Sequence, residues 1–455
     1  MRKLVLAVST VIIWFPAMPA LAHGIGGRSD LPVPLRFFVG GAGIVIVLSF
    51  AALAVLWPRP RLQEQPSIRP LRSRGWKALA SVGRGLGLAG LILVVSAGVI
   101  GIDNATANPG PVLVFVLFWL VVPFASAIVG NAYPVISPWD TLARLLRIDG
   151  VAAYRLGVWP ATTAFIAFTW FELVARDNGP RAVAIAALIY TVYMLGFSNL
   201  YGREVASSSV DGFAVYNELF GAMGPLGRDE DGQVGWRGWL RGLPHVAERP
   251  GLVVFVLAMI GTVTYDGGGS ILLWQDNVAG PLSSALQPML SRTLAEAVVG
   301  TLGLLGITAV IGAGYYFASA VAARLAGPGV TARRVAVRFA HTLVPIGFAY
   351  AFAHYFTLVL FEGQLLISTM SDPFGRGWDL FGTADRAIDF SLMAPLAIWY
   401  VQVGVIVAGH VAGVVLAHDR ALADFPAERA VRTQYAMLGL MVLLTGLGLV
   451  ILAGG

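Results

Sequence analysis

Apolar residues run along this chain in blocks of roughly twenty, each about the length of one bilayer crossing, separated by short polar stretches. Ten such blocks follow the first thirty residues: 35–57, 85–102, 111–130, 158–175, 182–200, 251–266, 293–323, 339–361, 391–417 and 434–453. Each approaches membrane length as a helix, and the long block 293–323 must tilt or extend past the hydrocarbon core. The pattern predicts an all-α polytopic membrane helix bundle of about ten transmembrane helices. Most connections are short, so sequential helices are expected to pack antiparallel.

Residues 1–22 have the three parts of a secretory signal. Arg2 and Lys3 are its basic start, 4–15 its apolar run, and Ala20-Leu21-Ala22 its cleavage site. Cleavage would leave His23 as the mature N-terminus; an uncleaved anchor is disfavoured by Pro16 and Pro19. Residues 23–455 then form a single transmembrane helical domain. With residue 23 outside, the inner loops carry 22 Lys and Arg against seven in the outer segments. The positive-inside rule therefore predicts N-out and C-out topology in the plasma membrane, with the N-terminus extracytoplasmic.

Three segments outside the spans are long enough to fold on themselves: inner 201–250 and outer 266–292 and 362–390. Within the first, 212–223 reads as an interfacial amphipathic helix. Glu204, Asp211 and Glu218, seven apart, read as a solvated stripe. Residues 131–146, with Tyr133-Pro134 and Pro138-Trp139, resemble an aromatic interfacial anchor. Gly83-x-x-x-Gly87 and Gly409-x-x-x-Gly413 permit close helix–helix contact.

Composition confirms the class. The chain is 57% hydrophobic and 12% charged, with mean hydropathy +0.75, which excludes soluble, disordered and fibrous proteins. Cysteine is absent, so thiolate nucleophiles, disulfides and Cys-ligated metal centres are excluded. The net charge of +6 follows loop placement and implies no nucleic-acid partner; the bilayer is the expected environment.

Polar groups at membrane depth are costly and therefore informative. His341 and His354 share one predicted span, some 20 Å apart at helical rise, so they cannot hold one ion together. Tyr350 and His354 lie four apart on one face. His410, on the ninth helix, falls at a depth similar to His341. The pair reads either as an inner ligand pair or proton relay, or as two imidazoles bonded to backbone oxygens across helices. The outer pole gathers His23, His354, Asp266, Glu362, Asp372 and Asp379. A mature His23 offers an amine and an imidazole, and His354 would add a third nitrogen suited to copper. Zinc would accept His with a carboxylate and retain a water. A divalent metal ion, zinc or copper, is thus the expected cofactor, with His23, His354, Asp266, His341 and His410 as candidate ligands. Asp379, Asp372 and Glu362 are the candidate catalytic carboxylates. Asp266, before Gly267-Gly268-Gly269, reads equally as a ligand at a tight turn or as a helix stop. No nucleotide-binding motif, zinc-protease motif, serine-hydrolase elbow, haem motif or iron–sulfur motif is present.

These residues carry a resemblance. The stretch 23–34, beginning His23-Gly24-Ile25-Gly26-Gly27-Arg28, resembles the fenitrothion hydrolase family of actinobacterial and proteobacterial membrane proteins. So do Asp211-Gly212-Phe213-Ala214-Val215-Tyr216, the segment 341–356, and Ser371-Asp372-Pro373-Phe374-Gly375-Arg376 through Gly382. Gly409-His410 and His418-Asp419-Arg420 complete a likeness running the length of the chain. It implies cleavage of an aryl phosphorothioate triester and brings no residue roles with it.

Two functional expectations follow. The first is a membrane-embedded, metal-dependent hydrolase of apolar organophosphorus triesters, which reach it through the lipid. The second is the handling or transport of copper or another transition metal, or service as an accessory subunit of a membrane complex.

Overall fold

The computed structural model describes residues 34–71, 75–175, 179–229 and 232–454. The expected signal sequence and His23 lie outside the described residues. The protein is an all-α, multi-pass membrane helix bundle, with nine helices among the described residues long and apolar enough to cross a bilayer. They are α1 (Leu35–Leu56), α2 (Trp76–Ile100), α3 (Pro109–Val129), α6 (Pro180–Tyr201), α8 (Leu252–Gly269), α9 (Arg292–Ala326), the composite Ala332–Ser371, α12 (Pro395–Asp424) and the stretch ending in α13 (Tyr435–Gly454). The composite comprises α10 (Ala332–Phe339), a 3-10 turn at Ala340–Leu343 and α11 (Val344–Phe361), with a short helical tail. Between the spans lie α4 (Pro138–Leu146), α5 (Trp159–Trp170) and α7 (Gly212–Gly221).

The expected span 158–175 differs from the rest. Its α-helix ends at Trp170 and continues as a π turn over Phe171–Ala175. The described helical residues, Trp159–Ala175, reach about 25 Å at helical rise. Another π segment, Val112–Val121, occupies nearly half of α3. Pro123 follows it, and a proline can neither donate to the carbonyl four residues back nor let that carbonyl remain in line. The wider π spacing upstream accommodates that lost bond. Asn108 starts the helix: its Oδ1 accepts the Gly110 amide at 2.9 Å, while its amide group donates to Ala97 and Ile102 carbonyls.

The chain divides into two compact units. The first comprises the described part of Met1–Pro60, with Met259–His354 and Ala394–Gly455. Here α1 packs against α13 and α12, and α9 against α10 and α13. Its core includes Ala42, Ala353, Trp399, Ile406, Leu449 and Leu452. Gly409 and Gly413 bring α12 onto the start of α11. A β-carbon on Gly409 would lie 2.6 Å from the Pro345 carbonyl oxygen, and one on Gly413 2.9 Å from that of Thr342.

The second unit comprises Arg61–Ala258 and Tyr355–Met393. It contains a three-stranded antiparallel sheet, β1 (Arg69–Pro70), β2 (Leu226–Arg228) and β3 (Val234–Trp236), in the order β1-β3-β2. Gly83 and Gly87 of α2 receive the chain at Val135 and Ile136 rather than a neighbouring helix, since β-carbons there would meet those two carbonyls.

The interfacial reading of 212–223 is overturned. Every residue of α7 except Glu218 is buried. Its rings pack into an aromatic core: Tyr216 stacks on Trp119 at 5.0 Å and Phe213 on Trp139 at 5.9 Å. Gly212 permits this, because a β-carbon would approach the Ala161 carbonyl at 2.9 Å. The solvated stripe fails with it. A π segment, Ala206–Val210, breaks the helical repeat. Glu204 is exposed, Asp211 fully buried, and Glu218 paired with Arg249 at 2.6 Å.

Candidate functional site

Two spans of the first unit bring a histidine and an aspartate together. Asp266 does not end its helix; α8 continues through Gly267, Gly268 and Gly269, so the carboxylate projects from the last full turn. His354 projects from α11, one turn beyond Tyr350. The His354 Nε2 and Asp266 Oδ2 atoms are 2.9 Å apart. About a quarter of each side chain remains exposed, which keeps the pair reachable. Gly267 makes the approach possible: a β-carbon would meet Ile451 Cγ2 at 2.2 Å and His354 Cε1 at 3.4 Å.

His354 borders a small cavity whose walls also include Thr264, Tyr350, Ile406, Ile451 and Leu452. The space is large enough for one water molecule and too small for an organic substrate, and its walls are mostly apolar. A carboxylate on one imidazole nitrogen fixes the ring's orientation and tautomer and stabilises its protonated form. With Nε2–H directed to Asp266, Nδ1 is the basic atom of the neutral ring. Chemically, this is an oriented base beside a water-sized space.

The other expected site residues lie elsewhere. His341 is buried in the 3-10 turn Ala340–Leu343. His410, fully buried, donates from Nδ1 to the Ile406 carbonyl of its own helix at 2.8 Å, an intrahelical bond where an interhelical one was expected. Glu362 is exposed in a 3-10 turn, Glu362–Gln364, of the second unit. Asp372 and Asp379 fold their own loop. Asp372 accepts the amides of Arg376 at 2.9 Å and Gly377 at 2.7 Å, and these bonds outweigh desolvation to hold its carboxyl below the usual range. Asp379 accepts the Ala384 amide at 3.0 Å and the Ser371 hydroxyl at 2.8 Å, which lower its carboxyl too. Among the described residues no three His, Asp or Glu side chains gather as a metal site. His354 and Asp266 supply two of the three protein donors a catalytic zinc takes.

The buried carboxylate of Asp211 is the feature that the sequence pattern concealed. Its oxygens accept the phenols of Tyr133 at 2.7 Å and Tyr190 at 2.9 Å. It also caps α7, accepting the amides of Phe213 at 2.9 Å and Ala214 at 3.3 Å. Burial pushes its carboxyl up to about 6, against the lowering by these four donors. The only sequence signal was an Asp placed where an N-cap belongs, ahead of Gly-Phe-Ala.

His418 and Asp419, also buried, secure the end of α1: Trp57 gives its carbonyl to His418 Nε2 at 3.1 Å and its indole N–H to Asp419 at 2.9 Å. Comparisons of the chain with protein-family models, curated proteins and solved structures give no match.

Proposed function

We propose that this protein is a membrane-embedded hydrolase of apolar organophosphorus triesters, with His354 as the general base and Asp266 as its orienting carboxylate. The observation that carries this reading is the 2.9 Å contact between the two side chains, made from separate spans beside a water-sized cavity. Water in that cavity would give a proton to His354 as its oxygen bonds to phosphorus. The phosphorus–aryloxide bond breaks, and the aryloxide departs with the electron pair. Asp266 stabilises the imidazolium formed. A nitro-substituted aryloxide needs no acid to leave. The cavity seats only the nucleophile, so the triester would approach from the lipid side of the pair.

The resemblance along the chain supports this substrate class, and the arginine count supports placing His354 on the extracytoplasmic side. The test is phenolate release from an aryl dialkyl phosphorothioate by purified protein in nanodiscs. The wild type is expected to turn over and His354→Gln to lose ~100-fold or more, the usual scale of a general base. Equal rates in the two proteins would reject the assignment.

A further inference from the structure

The N-terminal end of α2 is strongly basic. Residues 58–84 hold seven Lys and Arg against one acid, Glu64, a net +6 that equals the net charge of the whole chain. Six of the seven precede the apolar span Ala78–Ile100, and the seventh, Arg84, is inside it, about 9 Å past its start at helical rise. An arginine among apolar residues is costly unless it is paired or reaches the headgroups. Among the described residues no carboxylate pairs with the Arg84 guanidinium, and its buried Nε has no hydrogen-bond partner. Helical side chains tilt toward the helix N-terminus, so the long Arg84 side chain leads back to the basic end, where headgroups lie.

The three-stranded sheet sits at the same end. β1 stops six residues before α2 begins. Leu226 of β2 touches the close of α3, since a β-carbon on Gly130 would meet the Leu226 carbonyl at 2.6 Å. Arg69 and Leu226 both pair with Trp236, which puts the three side chains on one face of the sheet. Arg69 is exposed, Trp236 is 48% exposed, and Trp239, just past the strand, 54%. Asp229 closes the β2–β3 turn at the end of the hairpin away from Gly130, where it accepts the Gln233 amide at 2.7 Å.

We propose that the basic end of α2 is a docking surface for anionic phospholipids, with a headgroup phosphate as the counter-ion of Arg84, and with Arg69 and Trp236 meeting the headgroups beside it. Charge selects the partner: residues 65–84 contain no acid, and basic clusters beside a span attract anionic headgroups. Geometry agrees, because the guanidinium fork matches phosphate oxygens and tryptophan settles at the membrane–water boundary. Lipid binding here needs no substrate and stands apart from the hydrolase reading.

The test titrates delipidated full-length protein in neutral detergent with tritium-labelled phosphatidylglycerol or phosphatidylcholine and measures retained lipid. Wild type is expected to bind phosphatidylglycerol at least tenfold tighter. Arg84→Gln and Arg69→Gln are each expected to weaken phosphatidylglycerol about fivefold, the scale of one basic residue at an anionic surface, and to leave phosphatidylcholine unchanged. Arg69→Gln, on an exposed strand, covers the case in which Arg84→Gln fails to fold. Arg292→Gln removes an equal charge from α9, where Glu296 pairs with it at 2.8 Å, and is expected to leave binding within twofold. Equal affinity for the two lipids, folded Arg84→Gln and Arg69→Gln proteins that bind as wild type, or an Arg292→Gln loss as large as theirs would overturn the proposal. Displacement of the lipid by inorganic phosphate would overturn it too, by making the surface a site for the free anion.

Discussion

The phenol of Tyr133 donates to the carboxylate of Asp211 over 2.7 Å, joining positions 78 residues apart inside the second unit. Tyr190 donates to the other oxygen, and its own hydroxyl accepts the Gly212 amide at 3.0 Å. Two loops and a span are thereby tied to the first turn of α7. Removing either phenol leaves a fully buried carboxylate short of a donor. Tyr133→Phe is expected to cost about 1–3 kcal/mol, the penalty for an unmet buried group, read as a lower unfolding midpoint in detergent. An unchanged midpoint would mean that the carboxylate is not held this way.

Asp211 also sets a pH dependence. Its carboxyl sits at about 6 when folded against an ordinary value of 3.8, so the folded state holds the proton more tightly. Its contribution is fully present below 3.8 and is lost as pH rises through about 6. Stability is therefore expected to fall between those limits in the wild type. In Asp211→Asn that component of the slope disappears. A variant with the wild-type slope would assign the effect to another group.

Gly267 should act as a spacing residue for the His354–Asp266 pair. Gly267→Ala places a β-carbon against Ile451, an overlap that a well-packed core answers by shifting at a cost of about 1–3 kcal/mol. Turnover is expected to fall with it. Ile451→Ala, which removes the Cγ2 methyl that the new β-carbon meets, should restore part of the turnover in the double variant. Failure of that rescue would show that the two side chains do not collide.

The loop carboxylates separate turn-building from catalysis. Asp372→Ala removes the acceptor for the Arg376 and Gly377 amides and is expected to increase proteolytic cleavage near residues 372–377. Turnover should stay within about threefold of wild type, well under the effect of losing a general base. A loss approaching that of His354→Gln would return Asp372 to the catalytic set.

Much of the scaffold was legible because apolar blocks of bilayer length have few alternatives. Hydropathy counts residues and does not see where an α-helix changes to a π turn, as it does at Phe171 within 158–175. Residues 204–218 misled for a related reason. A seven-residue charge repeat implies a stripe only on a continuous helix, and the π segment at Ala206–Val210 interrupts it. The burial of Asp211 then depends on Tyr133 and Tyr190, whose proximity no local pattern encodes. At the candidate site, His354 and Asp266 stood out as costly residues near helix ends. Their pairing was hidden in the packing that Gly267 allows, and the roles of Asp372 and Asp379 in turns were hidden in backbone amides, which have no sequence signature.

The most direct measurement is a double-mutant cycle on phosphorothioate hydrolysis in nanodiscs, using His354→Gln, Asp266→Asn and both together. If the two side chains act as one base, each single variant falls steeply and the double variant is no slower than the worse single, as coupled catalytic residues behave. Losses that multiply independently, or rates that match wild type, would contradict the account.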